Sequence, residues 1–71
     1  MLLKSNRSTL DVYDRDILRC LLIHGGYMNK HQIAIQLNIS WKTVDRKLGR
    51  LYNKGYLSRT SKGNVVYYRI K

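Results

Sequence analysis

Apolar positions follow one period up to Gly55 and another after it. Up to that point they stand three and four residues apart, the spacing that gives a helix one buried face. Leu10, Tyr13, Ile17 and Leu21 make the first such stripe, and Leu18 and Leu22 widen it. The stripe predicts a helix starting near Ser8 or Thr9. Ser8 and Asp11 stand at capping-box spacing there, and Asp11 and Asp14 suit the positive helix end. Gly25-Gly26, just after His24, offers the left-handed cap that ends it. Tyr27-Met28 has room only for a brief edge strand.

Asn29 and Gln32 repeat the capping-box spacing ahead of a second helix over Lys30–Leu37, which buries Ile33, Ala34 and Leu37. Asn38 tolerates left-handed backbone and suits a tight turn. Ile39 plugs the corner, and Ser40 caps a third helix over 41–54 that stops at Gly55. Beyond Gly55 come two β-branched and aromatic runs, 56–60 and 65–70, with 61–64 as the turn of a hairpin.

The predicted fold is therefore α+β, mainly α: three helices, a short strand and a C-terminal β-hairpin. Ala34 is small where the second and third helices cross, while Leu37, Ile39, Val44, Leu48 and Leu51 fill the angle between them. A bracing helix, a tight corner and a second helix held outward are the parts of a helix-turn-helix. Residues 9–71 make one domain, with 1–8 as a short basic arm. So short a chain has little space for a substrate pocket beside its core, which argues against an enzyme.

Charge changes the picture most. Fourteen Lys and Arg stand against four acids, all Asp, for a formal charge of +10. Such an imbalance repels itself and calls for a polyanionic partner. A membrane partner loses ground because no apolar run approaches the ~20 residues of a spanning helix, and Lys4 interrupts the apolar start too early for a secretion signal. The lone Cys20 cannot pair internally, and His24 and His31 are too few for a metal site. A reducing cytoplasmic setting, on the nucleoid, fits, with neither metal nor cofactor.

The candidate chemistry lies on the third helix. At about 100° per residue, Val44, Leu48 and Leu51 define its buried side. Opposite stand Lys42, Arg46, Gly49 and Asn53, with Thr43, Asp45 and Arg50 on the flanks and Ser40 and Trp41 at the start. Lys42 and Arg46 have the reach for guanine edges or phosphates, and Thr43 and Asn53 for bases or backbone. Gly49 costs helix stability and suits a close approach to a groove wall, or is a tolerated surface glycine. Trp41 reads as an indole capping the core, with stacking on a sugar or base methyl as the alternative. Asp45 reads as an intrahelical partner of Lys42 or Arg46, with acceptance from a cytosine amine as the alternative. Cys20 and His31 read as structural, and Tyr67 and Tyr68 point to opposite faces of their strand, so that one is core and the other exposed, placed to touch DNA backbone or a partner subunit. On the hairpin, Arg59, Lys62 and Arg69 place charge where a wing lies on a minor groove or its phosphates.

The runs LDVYDRDILRCLL, IAIQLNIS, TVDRKLGRLYNKGYL and VVYYRI, which span nearly the whole chain, resemble the winged-helix transcriptional regulators, especially the arsenic-repressor and multiple-antibiotic-resistance families. Its compactness is also similar to that of small regulators of archaeal viruses and plasmids. The resemblance implies a recognition helix at 41–54 and a wing at 57–70. The paired cysteines of the metal-sensing members are missing, so no metal-sensor role carries over. The expected function is a double-stranded-DNA-binding regulator, a repressor acting as a homodimer, with Leu2, Leu3, Leu18 and Leu22 as candidate dimer surface. A weakly specific DNA accessory in replication, partition or packaging is the alternative. A winged helix serving RNA or protein contacts is the third reading.

Overall fold

A computed structural model describes residues 10–71. Its elements, in chain order, are α1 (Val12–His24), β1 (Met28–Asn29), α2 (Lys30–Leu37), α3 (Trp41–Asn53), β2 (Leu57–Lys62) and β3 (Val65–Ile70). The three strands form one antiparallel sheet in the order β1-β3-β2.

Helix α1 starts later than the apolar stripe suggests. Its N-cap is Asp11, which accepts from the Asp14 backbone N–H while the Asp14 carboxylate accepts from that of Asp11. This reciprocal box between two carboxylates replaces the expected one at Ser8, which lies outside the described residues, as do the arm, Leu2 and Leu3. Leu10 therefore precedes the helix, though it still packs on the core. The buried face is Asp14, Ile17, Cys20 and Leu21. Tyr13 drifts off it and is 45% exposed, and Leu22 is exposed too. Gly25 closes the helix in the left-handed conformation, as expected.

Helix α2 has the predicted bounds and the predicted Asn29–Gln32 box. Asn38 follows at φ 57°, a left-handed turn that passes the chain to Ile39 and the Ser40 cap of α3. Val44, Leu48 and Leu51 are fully buried along α3 and meet Ile17, Leu21 and Ile33 in one cluster, which Leu57 and Tyr68 of the sheet complete. Each such aliphatic side chain contributes about 1.5–3 kcal/mol on burial, so few residues carry most of the stability. Cys20 belongs to this cluster. Its Sγ lies 3.9 Å from the Met28 sulfur, and burial pushes its thiol pKa up.

The hairpin is tighter than the sequence suggests. Lys62 pairs with Val65, so Ser61 and Lys62 belong to β2 and only Gly63-Asn64 forms the turn. Gly63 takes φ 64°, which a side chain would strain and which suits a two-residue hairpin turn. Tyr68 is buried, as one of the two tyrosines was expected to be, whereas Tyr67 on the opposite face is half-buried where full exposure was expected. The brief edge strand falls at Met28–Asn29, one residue later than expected, and pairs with Tyr67 and Tyr68. Three helices braced against a sheet that ends in a two-stranded wing complete the winged helix.

Candidate nucleic-acid interface

Helix α3 presents its polar side to solvent because its apolar side is wholly consumed by the core. Lys42, Asp45, Arg46 and Asn53 are exposed on that outer side, and Thr43 and Gly49 are half-buried. A Cβ built on Gly49 would meet nothing within 4 Å, so no neighbour in the fold requires glycine there. Ser40 caps the helix by accepting from the Lys42 backbone N–H at 3.2 Å.

Around the start of α3 sits a cluster that sequence reasoning only half found. Trp41 is 43% exposed rather than capping the core. The His31 ring lies 5.6 Å from the Trp41 ring, and the Lys30 and Lys42 ammonium groups lie 4.9 and 5.9 Å from its centre. His31 is thus a surface neighbour of Trp41, outside the core. Asp45 pairs with Lys30 of α2 at 3.5 Å, not within its own helix as expected. The helix-turn-helix angle brings the first turn of α2 beside α3, closer to Asp45 than the sequence wheel of α3 alone can reveal. Lys30 was missed for that reason. Its signal was its place just after the Asn29 cap.

Two cations of α3 face inward to α1. Lys47 donates to Asp11, and Arg50 lies 3.8 Å from an oxygen of buried Asp14. The Lys47 hydrogen bond, with help from the Asp14 backbone N–H, holds the Asp11 carboxyl below its usual range, against a small opposing effect of burial. Arg50, a predicted DNA contact, is therefore positioned first as a brace between helices.

The wing divides its charges. Strand alternation puts Leu57, Arg59, Tyr68 and Ile70 on the face that meets the helices, and Ser58, Lys62, Tyr67 and Arg69 on the outer face. Arg59 stacks on Tyr52 of α3, its guanidinium carbon 4.0 Å from the ring centre. Lys62 stands beside the tip. Arg69 pairs across from Ser58 near the base of the wing, and its guanidinium lies 5.4 Å from the Tyr27 ring centre. So the structure brings Lys42, Arg46, Gly49 and Asn53 onto one surface, and Arg59 next to its far end, whereas Arg69 lies apart from them.

The matching family model is that of winged helix-turn-helix DNA-binding domains, over residues 10–58, which takes in all three helices and the start of the wing. The chain belongs to this family. Solved structures of the same fold include the YusO protein of Bacillus subtilis, with a TM-score of 0.84 at 19% identity over 93% of this chain and 48% of that one. The AntR antimony-specific transcriptional repressor has a TM-score of 0.70 at 19% identity, over 100% of this chain and 80% of AntR. ZitR of Lactococcus lactis in complex with DNA has a TM-score of 0.66 at 20% identity, over 100% of this chain and 51% of ZitR. At these identities the likeness is one of fold. The winged-helix chain spans about half the length of YusO. No curated protein sequence matches it. Among the described residues, no helix is long and apolar enough to cross a membrane and no group of three or more His, Cys, Asp or Glu gathers as for a metal ion.

Proposed function

We propose that the chain is a regulator of transcription that reads duplex DNA through α3 and represses by occupying its operator. The observation that carries this reading is the outer side of α3. It offers Lys42, Arg46 and Asn53 around a glycine that no packing contact requires, on a helix whose opposite side is anchored in the core. Side chains of this kind suit base edges in a major groove, and a helix with no Cβ at its outer centre comes closer to the groove wall. Lys62 beside the wing tip, with Arg59 alongside α3, supplies contacts to the adjacent minor groove or its phosphates.

Support for repression comes from the fold relatives. AntR is a transcriptional repressor, and ZitR was solved on DNA. Binding as a homodimer to paired half-sites fits a module this small, since one domain covers few base pairs and symmetry multiplies affinity. The described part of the suggested dimer surface is the exposed Leu22, because Leu18 packs against the core. The cytoplasm is the compartment that a DNA-binding role implies.

Selection of bound duplexes from a random pool tests this. A single enriched motif, preferred over random DNA by ~10³-fold or more, supports a regulator, and a palindromic motif supports the dimer. A pool that stays random after selection removes the regulator and leaves the alternative, a weakly specific accessory of replication, partition or packaging.

A further inference from the structure

All four acids of the chain are on the helices or their caps, each paired with a cation: Asp11 with Lys47, Asp14 with Arg50, Asp16 with Arg19 and Asp45 with Lys30. The chain from 54 to 71 carries five Lys and Arg and no acid. The sheet is therefore basic on both faces, and its outer face, turned away from the helices, carries Tyr27, Tyr67 and Arg69, which have no part in the proposed duplex surface, beside Lys62, which serves that surface at the wing tip.

That outer face also carries aromatic rings. Extending the β1–β3 register by one residue sets Tyr27 across from Arg69, with Ser58 beyond it, and the next rung sets Asn29, Tyr67 and Thr60 in line. Tyr27 and Tyr67 are thus diagonal neighbours, about 7–8 Å apart at the backbone. Tyr27 is 41% exposed, and it lines a shallow cleft with Thr60, Lys62 and Tyr67. Arg69 sits over one face of the Tyr27 ring.

From this arrangement we infer a second binding site, for single-stranded DNA, on the outer face of the sheet. Unpaired bases would stack on Tyr27 and Tyr67, and Lys62 and Arg69 would meet the phosphates. One exposed ring, Tyr27, and one half-buried ring, Tyr67, interleaved with cations and free of acids, form the kind of platform on which single strands bind without sequence preference. A duplex keeps its base faces covered and gains only the phosphate contacts. Val65, across from Lys62 and 39% exposed, is the aliphatic side chain that the strand register adds to this face, so the rings and cations favour a nucleic-acid strand over a protein partner. DNA is chosen over RNA because the family binds DNA.

The experiment measures fluorescence anisotropy of a labelled oligo(dT) of about 15 nucleotides and, separately, of a random-sequence duplex. It compares the full chain with Tyr27→Leu, Tyr67→Leu, both Phe variants and Arg46→Ala, each checked for folding by its thermal melt. The Leu variants are expected to weaken oligo(dT) binding by about 5- to 150-fold while the Phe variants retain it. The Leu variants leave duplex affinity unchanged. Arg46→Ala lowers duplex affinity and leaves oligo(dT) binding intact, so a failure of either site shows separately. Absence of oligo(dT) binding, loss through Arg46→Ala instead of the tyrosines, equal loss in the Phe variants, or tighter binding of oligo(rU) would each overturn the inference.

Discussion

The guanidinium of Arg59 lies over the ring of Tyr52, 4.0 Å from its centre, so the first wing strand is fastened to the last turn of α3. Both residues are exposed, and a stacked pair of this kind contributes about 0.5–1 kcal/mol. Its larger effect is on orientation, because it ties the wing to the helix that we propose reads bases, and so sets the angle at which the wing would meet phosphates. Tyr52→Ala is therefore expected to lower the melting temperature by no more than about 4–8 °C. Duplex affinity should fall several-fold, although Tyr52 itself is not a proposed contact. Titration of the variant by anisotropy checks this, and unchanged affinity would mean that the wing keeps its angle without the stack.

Arg46 and Lys62 are expected to behave differently, since one is exposed on the outer side of α3 and the other stands beside the wing tip. Arg46→Ala should weaken binding to the selected site by about 1–3 kcal/mol and relax preference at one position, with the fold intact. Lys62→Ala should weaken binding to every duplex alike and lower the salt slope by about one. Affinities measured at several salt concentrations, on selected and random DNA, separate the two. A change in salt slope with no change in site preference for Arg46→Ala would take Arg46 out of base reading.

The contact between Lys47 and Asp11 gives α1 and α3 a pH-dependent tie. The Asp11 carboxyl titrates below its usual range in the folded chain, chiefly because Lys47 donates to it. Its contribution is then fully present above the unfolded carboxylate value, near pH 4, and is lost as pH falls through the lower folded value. Asp11 is exposed enough that the pair is worth about 0.2–1 kcal/mol. Lys47→Met, which keeps most of the packing, should be less stable than the parent at pH 7, and the gap should close as the pH drops below about 4. Melts at the two pH values test this, and an equal gap at both would assign the role of Lys47 to packing alone.

How much of this was legible beforehand depended on range. The caps, the Asn38 turn and the buried side of α3 follow from neighbours three or four residues apart, and the sequence carries such spacing openly. Where the folded chain departs from the reading, the cause is a partner distant in sequence. Tyr13 seemed to belong to a buried stripe, but the start of α1 is set by Asp11, and Tyr13 turns to the rim where Lys47 stands 5.9 Å from its ring. Asp45 had two cations within reach on its own helix, yet Lys30 comes to it from α2. The wing cations looked equivalent in sequence, and only the register of β2 on β3 separates Arg59 from Lys62 and Arg69. The same register aligns Tyr27 with Tyr67, forty residues apart in the chain.

Gly49 gives the sharpest test of the α3 surface, because folding and binding make opposite demands on it. Inside a helix, glycine costs about 1 kcal/mol relative to alanine. At Gly49 an added Cβ would meet nothing within 4 Å, so the fold sets no obstacle to alanine. Gly49→Ala is therefore expected to raise stability by about 0.8–1 kcal/mol, or roughly 4–8 °C in melting temperature for a domain of this size. On the proposed surface, the same methyl group stands between the helix and the groove wall, flanked by Arg46 and Asn53. Affinity for the selected duplex should then fall by tenfold or so, about 1.4 kcal/mol, even as the free protein becomes harder to melt. A variant that is more stable and binds as well as the parent would show that DNA does not come close at the centre of α3.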